Sequence, residues 1–272
     1  MISFPNCKIN LGLNIVRRRD DGYHDIESIM YPVPITDILE IVLNEESKEN
    51  FSFTSTGLKI PGKESDNLCV KAYQLLKNDF NLPPVKMHLH KIIPMGGGLG
   101  GGSANGAYTI SLLNDLFDLK LSTSKKQRYA LQLGSDCPFF IDNKPQLARG
   151  RGEELTKINL SLANYYLVLL NVGIHISTQE AYQTIKPKGV ESNLEKHINQ
   201  PIREWRNLLV NDFEEGFFKN YPALKKYKQM LYEKGALYAS MTGSGSTLFG
   251  VFETKPINIS EPKNGFLRIV KV

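Results

Sequence analysis

The sequence predicts an α+β protein of two domains, and three observations lead to this fold class. Its 272 residues exceed one average domain of about 150 residues. Strand-like and helix-like segments follow one another without the regular rhythm of a doubly wound sheet. Residues 85–89 alternate apolar and polar side chains, which is typical of a strand with one wet face. We place the domain boundary near residue 155, which gives domains of residues 1–155 and 156–272.

Hydrophobic periodicity and chain breakers predict the individual elements. Apolar alternation or short apolar runs predict strands over residues 7–15, 38–43, 51–53, 85–89, 165–172, 236–241, 247–252 and 266–270. Apolar residues three and four apart predict helices over residues 68–80, 104–117, 124–133, 202–221 and 223–234. We expect the first strands to form a meander-like sheet and Ser65-Asp66 to cap the first helix.

Composition and charge disfavour several classes of function. The 33 basic and 28 acidic residues give a net charge of +5, but the basic residues lie in short, separate runs, so we expect no nucleic-acid partner. The three cysteines are widely spaced, which indicates a reduced, cytoplasmic protein without a cysteine metal site. Because no apolar stretch approaches 18 residues and the chain begins with a strand-like pattern, we expect neither membrane association nor secretion.

The most informative segment is rich in glycine and lies between a predicted strand and a predicted helix. Its residues are Pro94, Met95, Gly96, Gly97, Gly98, Leu99, Gly100, Gly101, Gly102, Ser103 and Ala104. Unshielded backbone N–H groups and the positive end of the helix dipole predict a phosphate-binding loop. Ser103 stands where a Walker loop has lysine, which disfavours a P-loop NTPase. Asp115 lies inside the helical pattern instead of ending a strand, which disfavours dinucleotide binding.

Three motifs, taken in order along the chain, resemble the GHMP kinase superfamily. They are residues 8–13 (KINLGL), residues 94–103 (PMGGGLGGGS) and residues 241–245 (MTGSG). The resemblance implies a two-domain GHMP kinase fold, with an N-terminal sandwich like ribosomal protein S5 domain 2 and a ferredoxin-like C-terminal domain. It also implies ATP as the phosphate donor, bound by residues 94–104.

Two further segments, residues 21–24 (DGYH) and 134–140 (GSDCPFF), resemble superfamily members that phosphorylate a small cytidyl diphosphate substrate. The resemblance implies that Asp136 accepts the proton of the substrate hydroxyl, while Lys8 orients Asp136 and that hydroxyl and offsets developing charge. Taken alone, Asp136 could equally be a helix cap and Lys8 an exposed strand lysine. Phosphoryl transfer asks the protein mainly for positioning and charge neutralisation, which suits both residues.

The same resemblance implies a set of substrate-binding residues. They are Asn10, Tyr23, His24, Thr178, Tyr182, Gly243 and Ser244. Tyr23 and Tyr182 would stack on the base and His24 would form a hydrogen bond with it, although an aromatic residue at helical spacing such as Tyr182 is as often a core residue. Gly243 and Ser244 belong to a loop that closes over the phosphates, or else to a plain hairpin turn.

Mg²⁺ is expected to arrive with ATP, because it bridges the β- and γ-phosphates in such transfers. No carboxylate cluster predicts a metal cage, and Ser103 is the side chain we expect to touch the ion. Family members often have a second serine after it, where this chain has Ala104. The oligomeric state expected is a monomer or a weak homodimer. Two alternatives stay open: another superfamily kinase, acting on mevalonate, homoserine or a sugar, and an RNA-binding module with an S5-like fold.

Overall fold

The computed structural model describes residues 1–44, 51–174, 180–182, 185, 187, 193–263 and 265–272. Contacts within the chain divide it into two units. Unit one comprises Met1–Cys7, Ile35–Met95 and Gly100–Lys144, and unit two comprises Lys8–Pro34, Gly96–Leu99 and Pro145–Val272. These units are interleaved along the chain, and the single boundary near residue 155 stays a prediction.

The elements are numbered in chain order. The strands are β1 (Ile2–Ser3), β2 (Asn6–Arg18), β3 (His24–Thr36), β4 (Ile38–Leu43), β5 (Ser52–Gly57), β6 (Val85–Lys91), β7 (Gln146–Arg149), β8 (Glu154–Lys157), β9 (Tyr166–Asn171), β10 (Tyr238–Met241), β11 (Leu248–Phe252) and β12 (Phe266–Lys271). The α-helices are α1 (Leu68–Phe80), α2 (Gly101–Leu116), α3 (Thr123–Leu133), α4 (Phe139–Asp142), α5 (Leu194–His197), α6 (Trp205–Leu208), α7 (Phe213–Asn220) and α8 (Pro222–Glu233). β1, β3, β7 and β8 are strands that were not among the predicted ones.

The sheet of unit one supports the start of α2. Its strand order is β1-β4-β6-β5. β6 alternates buried and half-buried residues along its whole length, which confirms the predicted strand with one wet face. α2 packs on β1 and β4 and against α1, so it covers the apolar face of this sheet.

The predicted N-terminal meander is wrong beyond β3. β4 and β5 do not continue the sheet of β2 and β3, and β5 instead pairs with β6 in parallel, with Ser52 opposite Lys86. Parallel neighbours need a crossover connection, and α1 supplies it between these two strands.

The cap of α1 also differs from the prediction. Asn67 is the N-cap, and its side chain accepts a hydrogen bond from the backbone N–H of Cys69 at 2.9 Å. The predicted cap, Ser65-Asp66, instead lies in a 3₁₀ turn ahead of the helix. Asparagine is as good an N-cap as aspartate or serine, so the residue adjacent to the first helical turn serves as the cap.

Unit two contains two four-stranded sheets that share an apolar core. Their orders are β2-β3-β7-β8 and β10-β11-β9-β12. Leu13 and Ile26 from the first sheet pack in one cluster with Val168 and Leu248 from the second. Lys8 and Asn10 lie on β2 and therefore belong to a strand that this core holds in place.

The long helix predicted over residues 202–221 is broken in the structure. A 3₁₀ turn and α6 end before Leu209, and α7 begins again at Phe213. The residues between leave the helix to pair with β2: Leu13 N–H donates to Val210 O and Asp212 N–H donates to Leu13 O, both at 2.9 Å. Pairing with a strand outweighs the helical propensity here.

A search of the described residues for membrane-spanning helices found no helix with the length and apolar character that a span requires.

Candidate active site

The glycine-rich segment follows a backbone path that only glycine adopts easily. φ is 66° at Gly96, 76° at Gly98 and 69° at Gly100. Residues with a Cβ atom are strained in this left-handed region. Gly100 is the N-cap of α2 and offers no side chain to the first-turn amides of residues 101–103, while Ala104 N–H already bonds to Gly100 O. The start of α2 therefore presents its amides to an anion.

The side chains of the segment divide between the core and the surface. Leu99 and Ala104 are buried, Ser103 is half-buried and Met95 is exposed. The methyl group of Ala104 is enclosed in the core of unit one. The hydroxyl available at the first turn of α2 is that of Ser103.

The predicted third loop packs directly on the glycine-rich segment within unit two. Thr242 Oγ1 donates to Gly98 O at 3.1 Å, and Thr247 N–H donates to Gly97 O at 3.3 Å. A Cβ atom on Gly98 would lie only 2.0 Å from the carbonyl oxygen of Thr242. Glycine at this position is thus required by protein contacts as well as by its φ angle.

Lys8 and Asn10 point the same way from β2, as their spacing predicted. Lys8 Nζ donates to Asn10 Oδ1, and both side chains are buried. Lys8 N–H donates to Leu99 O at 2.9 Å, and Asn10 N–H donates to Thr242 Oγ1 at 3.0 Å. Residues of all three motifs are therefore hydrogen-bonded to one another in unit two.

Two buried residues of this network were missed by sequence reasoning. Ser28 Oγ accepts from Asn10 Nδ2 at 2.8 Å and fixes its amide orientation. Asn211 Nδ2 donates to Met241 O at 2.8 Å and to Gly243 O at 2.9 Å, so it holds the third loop. The Asn-Asp pair at 211–212 was a signal that could have broken the predicted helix there, whereas nothing in the sequence distinguishes Ser28.

Asp136 lies in unit one, in the turn after α3. It is half-buried and precedes Cys137, which is fully buried. Burial raises the pKa of the Cys137 thiol to about 12, while a hydrogen bond with the Ser103 side chain acts in the opposite direction. Cys137 therefore has Ser103 of α2 on one side and is bonded along the chain to Asp136. Ser103 and Asp136 supply a hydroxyl and a carboxylate oxygen in this part of unit one.

Two of the residues predicted for the cytidyl group, Tyr23 and His24, lie where β3 begins, and the third, Tyr182, packs on His24 within unit two. The His24 ring is buried and stacks on Tyr182, with ring centroids 5.2 Å apart, and Tyr182 in turn packs edge-on against Phe213. Tyr23 is 56% exposed, and the guanidinium of Arg151 lies 5.0 Å from its ring centroid. The pKa of His24 is lowered by burial and, secondarily, by the positive charge of Arg18.

The remaining predicted residues are placed as follows. Gly243 has a φ of 57° and its carbonyl is held by Asn211, and Ser244 is half-buried beside it. Thr178 lies outside the described residues. Within those described ranges, no group of three or more His, Cys, Asp or Glu side chains could hold a metal ion.

Comparison with protein families gives the class of the chain. The family model of the GHMP kinases N terminal domain matches residues 67–144, and the model of the GHMP kinases C terminal matches residues 192–261. Together with the glycine-rich segment ahead of α2, these matches define a small-molecule phosphotransferase of the GHMP class. They confirm the resemblance drawn from the three motifs and the two-domain α+β fold class.

Relatives of established name extend the match over most of the chain. A 4-diphosphocytidyl-2-C-methyl-D-erythritol kinase of Bacteroides fragilis is 49% identical over 93% of this chain and 92% of its own length. The kinase of the same name from Cytophaga hutchinsonii is 47% identical over 96% of each chain. The chain belongs to the GHMP kinases and, within them, to the family of 4-diphosphocytidyl-2-C-methyl-D-erythritol kinases.

Solved structures agree with this assignment. A crystal structure of 4-(cytidine 5'-diphospho)-2C-methyl-D-erythritol kinase superposes with a TM-score of 0.79 at 28% identity, over 92% of this chain and 90% of that one. The mevalonate kinase of Methanococcus jannaschii superposes with a TM-score of 0.68 at 15% identity, over 93% and 90% of the two chains. The second match shows the shared fold alone.

Proposed function

We propose that this kinase transfers the γ-phosphate of ATP to the 2-hydroxyl group of 4-diphosphocytidyl-2-C-methyl-D-erythritol. The names of its relatives support the substrate. The observation that carries the proposal is the set of hydrogen bonds that joins the three motifs: Lys8 to Leu99, Asn10 to Thr242, and Thr242 to Gly98. Motifs so distant in sequence would not converge on a glycine-rich loop whose only role was to connect two elements.

The triphosphate of ATP binds at the glycine-rich segment in this proposal. The amides of residues 101–103 point out of the helix end, and the helix dipole favours negative charge there. Glycine at Gly98 lets the backbone pass closely beneath the third loop. Phosphate oxygens can then approach the backbone without meeting side chains.

Asp136 and Lys8 carry out the transfer. The Asp136 carboxylate accepts the proton of the 2-hydroxyl, the hydroxyl oxygen forms a bond to the γ-phosphorus, and the bond from that phosphorus to the β-γ bridging oxygen breaks to release ADP. The buried ammonium of Lys8, held by Asn10, offsets the negative charge that develops on the transferred group.

Mg²⁺ fits the oxygen donors of unit one. The Ser103 hydroxyl in the first turn of α2 is a donor of the oxygen type that this ion prefers, and one protein donor suits an ion that keeps several waters. When bound, the ion would be held by the Ser103 hydroxyl and would neutralise part of the charge of the phosphates.

The cytidyl end of the substrate is recognised by aromatic side chains. The exposed ring of Tyr23 offers a face for stacking, which is worth about 1–3 kcal/mol per base. His24 is positioned by its stack on Tyr182, and its lowered pKa keeps the imidazole neutral at pH 7, with one donor and one acceptor nitrogen. Tyr182 thus combines core packing against Phe213 with support of the pocket.

We also infer a reducing, cytoplasmic compartment and a monomer or weak homodimer. Cys7, Cys69 and Cys137 are buried thiols outside any disulfide, and burial raises the pKa of each to about 12. Such thiols are poor nucleophiles and suit a protein that forms no disulfide.

Sedimentation velocity over a range of protein concentrations tests the proposed monomer or weak homodimer.

The decisive experiment for the substrate is a comparison of hydroxyl acceptors. Protein, ATP and Mg²⁺ are incubated with the cytidyl substrate, mevalonate, homoserine or a hexose, and the products are weighed by mass spectrometry. We expect only the cytidyl substrate to gain one phosphoryl group, with one ADP formed per product. A higher kcat/KM for an acceptor without cytidine would overturn the substrate assignment. Salt-dependent RNA binding without turnover would favour the S5-like alternative instead.

A further inference from the structure

A buried ion pair lies in unit one among residues that the proposed mechanism does not use. Asp37, between β3 and β4, and Lys91, at the end of β6, both have fully buried side chains, and Lys91 Nζ donates to Asp37 Oδ2. Burial lowers the pKa of Lys91 from its ordinary value, and the neighbouring Asp37 carboxylate opposes this shift.

The Asp37 carboxylate also binds both ends of the glycine-rich segment. Its Oδ1 atom accepts from Ile92 N–H at 2.7 Å and from Ile93 N–H at 2.9 Å. Its Oδ2 atom accepts from Asn105 Nδ2 at 2.8 Å. Ile93 is the residue before Pro94, and Asn105 lies in the second turn of α2. One carboxylate therefore joins the chain entering the phosphate-binding loop to the helix that leaves it.

The first residue of α2 packs directly on the same group. A Cβ atom on Gly101 would lie 2.8 Å from Ile93 Cγ2 and 2.9 Å from Lys91 Nζ. The backbone at the start of α2 is thus seated on the ammonium of the ion pair and on the residue that Asp37 binds. A small displacement of this pair would move the amides of residues 101–103.

Stability alone does not account for such a pair. A buried ion pair is often no more stabilising than apolar side chains of similar volume, whereas breaking it leaves an uncompensated charge. The arrangement does, however, fix two chain segments relative to each other through four directional hydrogen bonds. We propose that Asp37 is a positioning residue for ATP, which holds the two ends of the glycine-rich segment so that the amides of α2 meet the phosphates. This inference rests on the proposed function, in which that segment binds ATP.

The test separates ATP binding from stability. The double variant Asp37→Leu with Lys91→Met removes both charges and keeps the core apolar, and Asn105→Ala removes only the tie to α2. Each is compared with wild type for the Kd of a non-hydrolysable ATP analogue, for KM of ATP and of the cytidyl substrate, and for the thermal unfolding midpoint. Leu76→Ala, a buried residue of α1 that makes none of these hydrogen bonds, is the matched control for loss of stability.

We expect the double variant to bind the ATP analogue about tenfold more weakly, and Asn105→Ala about threefold more weakly, because displaced groups lose binding and catalysis steeply. KM for the cytidyl substrate should change less than about twofold in both. Leu76→Ala should lower the unfolding midpoint and leave the nucleotide Kd unchanged.

Three results would contradict the positioning role. They are an unchanged nucleotide Kd in both variants, an equal rise in both KM values, and a Kd in Leu76→Ala that rises with its loss of stability. If the double variant does not fold, Asn105→Ala alone decides between these outcomes. Wild-type protein that fails to bind the ATP analogue would instead contradict the proposed function, so the two failures are distinguishable.

Discussion

The glycine-rich segment and the start of β3 are built in opposite ways, although each is proposed to bind one of the two substrates. The segment relies on backbone: three left-handed glycines and the first amides of α2. The start of β3 relies on side chains: the exposed ring of Tyr23 and the buried ring of His24. Triphosphates are alike in all ATP-dependent enzymes, so amides suffice for them, whereas a particular base needs shaped side chains.

This difference has a consequence for mutation. On the backbone-built side, adding even one carbon atom is harmful, because it either strains the chain or occupies the path of the phosphates. At the start of β3, binding of the cytidyl substrate should weaken when a ring is removed and should stay normal when the ring is kept. Substitutions at the two regions should therefore change the KM of different substrates.

The largest expected effect is one that leaves both binding regions intact. Asp136→Asn keeps the shape of the side chain and removes the proton acceptor, so kcat should fall about 10³-fold or more. The Kd of an ATP analogue, measured by calorimetry, and the Kd of the cytidyl substrate should stay within about twofold of wild type. Full turnover in this variant would remove Asp136 from the mechanism, whatever the two binding regions do.

Gly98→Ala should produce the next largest effect. The new Cβ atom would meet Thr242 O at 2.0 Å, and the φ of 76° adds about 1–2 kcal/mol of strain, so both stability and ATP binding should be lost. Urea unfolding and nucleotide titration measure the two losses.

Gly102→Ala is the matched variant, because the nearest atom to its new Cβ would be Met95 Cε at 3.9 Å. The folded protein has room for it, so its unfolding free energy should be unchanged or higher. A weaker nucleotide Kd in this variant would then report the approach of the phosphates alone. Wild-type affinity in Gly102→Ala would mean that the phosphates do not come close to this amide.

Tyr23→Ala tests the start of β3. The ring is exposed, so its loss should leave stability unchanged, whereas the loss of stacking of about 1–3 kcal/mol should raise the KM of the cytidyl substrate about 5- to 150-fold. KM for ATP should not move. Tyr23→Phe keeps the ring face and should restore a KM near that of wild type; if Phe behaves like Ala, the hydroxyl and not the ring is the recognition element.

The smallest expected effect is a dependence on pH that only the cytidyl side shows. The pKa of folded His24 lies below its ordinary value of about 6.5, so the unfolded chain binds more protons at that residue. Its contribution to the free energy of unfolding is complete above pH 6.5 and is lost as pH falls through the folded pKa. The difference in stability between wild type and His24→Asn should therefore shrink from pH 7.5 to pH 5.5 in urea titrations.

Over the same range of pH, KM for the cytidyl substrate should rise while the nucleotide Kd changes little. An equal rise in the nucleotide Kd would assign the effect to general unfolding and not to His24. A His24→Asn variant with the same pH dependence as wild type would mean that another group titrates.

The parts of this molecule that local patterns control were predictable from sequence. β6 alternates as the sequence indicated, and the glycine-rich segment leads directly into α2. The shared face of Lys8 and Asn10 follows from the two-residue period of a strand, and their hydrogen bond confirms it. In each case neighbours in sequence are also neighbours in space.

The parts that depend on distant pairing were not predictable in this way. The sequence pattern places Asn211 inside a long helix. In the structure the helix is interrupted there, because the backbone around Asn211 pairs with Leu13 of β2. Asp37 looks like an ordinary turn residue until the ends of the glycine-rich segment converge on its carboxylate. A single polar residue of this kind does not recur at the spacing of a helix or a strand, so hydrophobic periodicity cannot reveal it.

Binding of ATP depends, in the proposed function, on hydrogen bonds from the backbone amides at the start of α2 to the phosphates. A crystal structure of the protein with a non-hydrolysable ATP analogue and Mg²⁺ tests it most directly. We expect phosphate oxygens within hydrogen-bond distance of the amides of residues 101–103, with the glycines of residues 96–100 lying along the triphosphate. A bound nucleotide whose phosphates lie elsewhere, with these amides facing only water, would contradict it.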